Sequence, residues 1–234
     1  MQRRHFHHLG LGAIGSLMLA TWQQAHALSL ADLSGADASS GVKAALAKGA
    51  ESAVALLGQS DGFLGNPKVR IPLPGYLEDA AKLMRKFGQG KAIDELITGM
   101  NRAAEAAVPM GKDLLVSAVQ NMSVTDAKKI LTGGDTSVTQ FFAEKTRAPL
   151  GERFLPIVTQ SIEKVGLAQQ YNAFASKAAG FGLVKKEDAT ISQYVTGKTL
   201  DGLFTMIGEE EKKIRQGPVG TDSAILQKVF GATR

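Results

Sequence analysis

Four groups of polar residues have the types and spacing to do chemistry. In GQSDGFLGNPKVRIPLPGY, Asp61, Asn66, Lys68 and Arg70 lie on a proline-rich stretch, where Lys68 and Arg70 could hold a carboxylate or phosphate on an ordered loop. The plainer expectation is an extended strap whose alternation puts Val69 and Ile71 on the protein and the two bases in water. In MNRAAEAAVP, an inward Arg102–Glu105 pair beside Asn101 could orient a polar ligand, whereas the commoner arrangement is the wet side of a helix. In TGGDTS, backbone N–H groups after Gly133 and Gly134 could bind an anion at a helix start. The simpler expectation is that Gly133 ends one helix and Asp135 caps the next, where its carboxylate would repel an anion. Tyr194, Lys198, Asp201 and Thr205 share one helical face, so a buried Lys198 could act as base or nucleophile. An exposed Lys198–Asp201 pair three residues apart is the ordinary alternative.

The elements that must position these groups begin after an N-terminal stretch of different character. Residues 1–27 read as a basic head with Arg3 and Arg4, an apolar run over residues 9–21, and a polar end closing on Ala25-His26-Ala27. That is the layout of a cleavable export signal with cleavage expected after Ala27. The apolar run is too short to cross a bilayer, and no second apolar segment follows. Arg3-Arg4-His5-Phe6, followed by a run diluted by Gly10, Gly12 and Gly15, looks like a twin-arginine signal, with Arg3 and Arg4 read by the export machinery. An ordinary Sec signal with two arginines in its head is the alternative. With no cysteine at the cut there is no lipid anchor, so the expected location is the periplasm and the expected mature chain is soluble.

Cleavage would remove all four histidines and the single tryptophan, Trp22, from a chain of 234 residues that has no cysteine. Two of 27 basic residues go with it, leaving 25 against 22 acidic ones and a net charge of +3. Such a small excess makes no case for nucleic acid. Without His or Cys, nucleophile systems built on imidazole or thiol are closed to the mature chain, as are zinc sites of the usual nitrogen and sulfur type. The Asp-rich spacing of a calcium loop is absent, and no metal or cofactor is expected. Stability has to come from packing alone, because no disulfide can form.

Abundant alanine and apolar residues recurring at three and four predict helix nearly throughout. The expected fold is all-α, a single compact multi-helix bundle of about nine helices over residues 28–234 with one extended proline-rich connector. The first helix should run from a cap at Asp37 or Ser39 to Leu57. Pro67, Pro72 and Pro74 forbid helix in the connector. Helices are then expected over 76–87, 91–107, 109–121, 123–131, 135–147, 149–165 and 167–179. A long central one should follow over 188–216, with Gly197, Gly202 and Gly208 permitting close approach. Its end, EEEKKIR, pairs Glu209 with Lys213 and Glu211 with Arg215 in helical order and reads as a solvated exit from the core. A short helix over 222–230 should dock the terminus.

Taken together and in this order, SDGFLGNPKVRIPLP, MNRAAEAAVP, DAKKILTGGDTSVTQFF and TLDGLFTMIGEEEKKIR resemble the bacterial exported family catalogued as domain-of-unknown-function family 4197, over about residues 33–231. The resemblance implies an exported, largely helical protein and carries no activity to any residue. The twin-arginine head lies outside it. The functional expectation is a non-catalytic binding or interaction protein, taking a protein partner or a small, partly apolar ligand between helices. Two alternatives stay open: a hydrolase or lyase using carboxylates and Lys198, and a structural envelope factor acting through its surface.

Overall fold

The computed structural model describes residues 35–164, 166, 169–171, 173 and 190–216, and among these there is no strand. The chain is all-α, as its composition requires. The export signal expected over residues 1–27 and the helix expected over 222–230 lie outside the described residues, as does most of the helix expected over 167–179.

Helix α1 (Gly35–Leu57) starts a few residues ahead of the expected caps and buries Val42, Ala45, Leu46, Ala50, Ala53, Val54 and Leu57 along one stripe. Its alternating spacing of three and four is that of a helix with one face in the core. After the connector come α2 (Gly75–Lys86) and α3 (Gly90–Ala107). Pro109 starts no new α-helix: Val108–Gly111 is a 3-10 turn that leads directly into α4 (Lys112–Gln120). Helix α5 (Val124–Thr132) starts at the expected Ser123, whose side chain accepts from the Asp126 N–H while Asp126 accepts from the Ser123 N–H. This reciprocal cap satisfies two donors left open at a helix start.

That cap carries a pH signature. Hydrogen bonds from the Ser123 hydroxyl and backbone hold the Asp126 carboxyl below its ordinary value. A lowered folded-state value stabilises the protein above the unfolded value near 4, and the contribution disappears as pH falls through the folded one. Asp126→Asn, which keeps the Ser123 cap and removes only the charge, should therefore cost about 0.5 kcal/mol near neutrality. In urea titrations its midpoint should differ from wild type by a constant amount from about pH 5 to 7 and converge with it in more acidic buffer. A gap that persists unchanged into strong acid would show that the charge at Asp126 contributes nothing.

Two helices expected on either side of Pro149 are one continuous helix, α6 (Ser137–Lys164), with Pro149 and Pro156 inside it. Both prolines sit on exposed positions. The carbonyls they leave without an amide partner, of Lys145 and Glu152, belong to exposed residues where water can take over. Meanwhile Val138, Phe142, Thr146, Leu150, Phe154, Val158 and Ile162 are all buried, one every fourth residue across both prolines. A step of four advances the buried direction by about 40° on a helix of 3.6 residues per turn. The stripe therefore winds round α6, which packs in turn on α7, α3, α4 and α5. Continuous burial outweighs two lost hydrogen bonds on the wet side.

The last described helix, α7 (Ile191–Gln216), is central as expected and packs against α6, α1 and α3. Of its three glycines, two approach neighbours closely: a Cβ at Gly202 would lie 2.6 Å from the Phe63 ring, and one at Gly208 3.1 Å from Thr139 Oγ1. Gly197 has nothing within 4 Å, so close approach does not explain it. Helix α2 packs chiefly on α3 at the edge. The buried side chains of all these elements form one core, with Phe63, Phe142 and Phe154 among its largest members.

Candidate functional site

The connector over residues 58–74 is less extended than its prolines suggest. Its first half coils into turns, with Gly62 N–H bonded to Gln59 O, Gly65 N–H to Asp61 O, and Val69 and Arg70 N–H to Asn66 O. Asp61 stands at φ +65°, a left-handed conformation that Asp tolerates better than most residues. The expected alternation holds beyond it: Val69 and Ile71 are buried and Lys68 and Arg70 exposed.

Residues expected on the wet side of α3 instead face this connector. Asn101 is fully buried; its Oδ1 accepts from Ile71 N–H at 2.8 Å and its Nδ2 donates to Ile71 O at 2.9 Å, copying the two-way bonding of a neighbouring strand. Glu105 is 5 % exposed, and its Oε1 accepts from the N–H groups of Phe63 and Leu64 at 3.0 and 3.1 Å. Arg102 donates through Nη1 to Glu105 Oε2 at 2.6 Å and through Nη2 to Asp61 Oδ1 at 2.8 Å. Hydrogen bonds to Glu105 first, and then to Asp61, raise the guanidinium above its already high ordinary value. The reason is backbone accounting: a segment without secondary structure lying on a core must find partners for its amides, and α3 supplies them.

Helix α7 holds the other edge. The Tyr194 hydroxyl donates to Pro72 O at 3.0 Å, Asn66 Nδ2 lies 3.7 Å from Met206 Sδ, and Lys68 pairs with Glu209. A hydrogen bond from Lys68 holds the Glu209 carboxyl below its ordinary value. Glu209 thus pairs with the connector, not with Lys213, which bonds Glu210. Asp61, Asn66, Lys68, Asn101, Arg102, Glu105 and Tyr194, chosen from three separate stretches, therefore converge on a single clamp around the connector.

The remaining candidates lie elsewhere. Lys198 is exposed, 3.8 Å from Asp201, so the burial that a lysine base would need is absent; Asp201 pairs more closely with Arg147, at 2.6 Å. Asp135 is exposed and does not cap α6. That role belongs to Glu211, 4 % exposed, which accepts from Val138 N–H at 3.1 Å and from the Thr139 N–H and hydroxyl at 3.2 Å. The helix start considered for an external anion is occupied by the protein's own carboxylate, and EEEKKIR is not a uniformly solvated exit. Asp135, Arg147, Asp201 and Phe204 border a shallow hollow of about 390 Å³, with the Arg147 guanidinium 5.7 Å from the Phe204 ring centre.

A larger opening lies on the far side of Arg102. Helix α3, the end of α6 and Gln170 bound an open groove of about 970 Å³, where Gly99 and Ala103 leave room, Lys91, Asp94 and Glu95 bring charges, and Thr98, Ser161 and Lys164 supply further polar groups. Arg102 is the one clamp residue that also lines it. A hydrogen bond from Arg85, at 2.5 Å, holds the Asp94 carboxyl at its edge below the ordinary value. Nothing in the sequence singled out Thr98, Ser161 or Lys164. The available signal was the pair of small residues Gly99 and Ala103, four apart on the face that carries Arg102. Among the described residues, no three His, Cys, Asp or Glu side chains gather to hold a metal ion.

The model of a protein family, "Protein of unknown function (DUF4197)", matches residues 32–231. The chain belongs to this DUF4197 family. The matched span includes every clamp residue, both walls of the groove and Glu211, and begins beyond the basic head with Arg3 and Arg4. No curated protein and no solved structure matches the chain.

Proposed function

We propose that this DUF4197 member is an exported, non-catalytic binding protein whose ligand occupies the groove between α3 and the end of α6. The supporting observation is the groove itself: about 970 Å³ beside an arginine already fixed by two carboxylates. That volume suits a small molecule, and a wall whose side chains are held before binding loses little conformational freedom on binding. Gly99 and Ala103 favour a partly apolar body. Thr98, Ser161 and Lys164 offer polar contacts along its walls. The lining differs from the Leu, Phe and Met of a purely apolar pocket, which argues for a ligand with polar groups of its own.

Native mass spectrometry of protein purified from the periplasm tests this reading. An extra mass that is present on wild type and missing from a folded Thr98→Trp variant is the expected result. Identical apo masses for both proteins would count against a retained groove ligand. Export itself is read from residues 1–27. Changing Arg3 and Arg4 together to lysine should leave precursor in the cytoplasm on fractionation, and undiminished export would rule out the twin-arginine route.

A further inference from the structure

The most exposed large apolar side chain among the described residues is Phe87, 73 % exposed at the turn from α2 to α3. A single exposed apolar side chain is ordinary, but this one has unusual company. Residues 82–91, KLMRKFGQGK, hold four bases and no acid, and Arg85, Lys86, Gly88, Gln89 and Lys91 are all exposed around the ring. The acids that pair with three of these bases stand farther back along the two helices: Asp79 with Lys82 at 3.0 Å, Asp94 with Arg85 at 2.5 Å, and Glu95 with Lys91 at 3.8 Å. Lys86 has no such partner among the described residues. Bases in the last turn of α2 also complement its helix dipole, which accounts for Arg85 and Lys86 but not for the bare ring between them and Lys91.

The turn can reach a surface. Helix α2 packs chiefly on α3, and Gly88, at φ +78°, has open space where a side chain would be. A hollow of about 210 Å³ close by is lined by Met84, Gln89, Ile93 and Leu96 of this helix pair and by Gln170 and Ala173. Aromatic rings favour the zone between headgroups and acyl chains, and neighbouring Lys and Arg are drawn to anionic headgroups. No described helix is long and apolar enough to cross a membrane; the contact would be reversible and superficial.

We propose that the α2–α3 turn docks on an anionic lipid surface, with Phe87 entering the interface and Lys82, Arg85, Lys86 and Lys91 facing the headgroups. The inference goes beyond the groove reading and does not depend on it.

The test uses the processed chain, which has no tryptophan after residue 27. Phe87→Trp then makes the ring the only indole, and its emission should shift to the blue on vesicles containing phosphatidylglycerol but not on pure phosphatidylcholine. In cosedimentation with the same anionic vesicles, Phe87→Ala should weaken binding about tenfold. Lys82→Glu with Lys86→Glu, neither of which lines the groove, should weaken it about tenfold or more, and raised salt should do the same to wild type. All three positions are exposed, so unchanged melting curves are expected and folding is not in question. Inorganic phosphate at millimolar concentration should fail to displace the protein. Equal binding to anionic and neutral vesicles would overturn the proposal, as would no effect of Phe87→Ala or complete displacement by phosphate. A dimer in sedimentation velocity that Phe87→Ala dissolves would assign the ring to contact between copies instead. The mass spectrum that tests the groove ligand should be unaltered by Phe87→Ala, so the two readings fail separately.

Discussion

Glu105→Ala is expected to destabilise the fold by about 3 kcal/mol, read from the midpoint and slope of urea unfolding. The carboxylate is 5 % exposed and receives the N–H groups of Phe63 and Leu64 as well as Arg102. Truncation leaves two connector amides without their acceptor and a guanidinium without one of its two carboxylates. Each unsatisfied buried donor costs about 1–3 kcal/mol, and an ion pair open to solvent on one side contributes about 1 kcal/mol or less. Leu64 N–H is only part-buried and Arg102 is half-exposed and keeps Asp61, so the lower end applies to each. Glu105→Gln should be milder, since an amide oxygen can still accept from the backbone, though its NH2 then faces Arg102. If Glu105→Ala lost less than about 0.5 kcal/mol, within the range of an unimportant surface change, the clamp would not be what holds the connector.

Two alanine substitutions in the same helix should move stability in opposite directions. Gly202→Ala would place a methyl 2.6 Å from Phe63 Cε1, 3.2 Å from its Cζ and 3.3 Å from Val69 Cβ. Phe63 is wholly buried and cannot yield without moving the connector. Overpacking of this kind costs about 1–3 kcal/mol, more than the roughly 1 kcal/mol that alanine gains over glycine within a helix. A net loss of about 2 kcal/mol is expected. Gly197→Ala meets nothing within 4 Å and should keep the propensity gain, raising stability by about 0.5–1 kcal/mol. Thermal melts of the two variants side by side decide the matter. If both were stabilising, the contact between Phe63 and α7 would have to be looser than it stands.

Much of the architecture was legible in the residues. The stripe of α1, the Ser123 start of α5, the burial of Val69 and Ile71 and the central place of α7 follow from local periodicity and capping chemistry, which depend on neighbours a few residues apart. Pro149 misled for an instructive reason. A proline's cost depends on whether the carbonyl it orphans can reach water, and that is known only when the buried side of α6 is known. Glu211 misled in the same way. Its spacing to Arg215 suits a solvated pair, yet it is drawn into the core by amides 72 and 73 residues earlier in the chain.

The candidate residues show the division most plainly. By itself, the sequence determined that the chain would be helical, that its connector could not be, and that Asp61, Asn101, Arg102, Glu105 and Tyr194 were polar groups with no evident place on an apolar face. Whether those groups faced water, a ligand or the chain itself was decided only by the tertiary structure. The physical reason is that the connector's unpaired amides and carbonyls had to be satisfied as the core closed, and α3 and α7 were the elements lying against them. The same packing left Arg102 shared between the clamp and the groove, a juxtaposition that no spacing along the chain encodes.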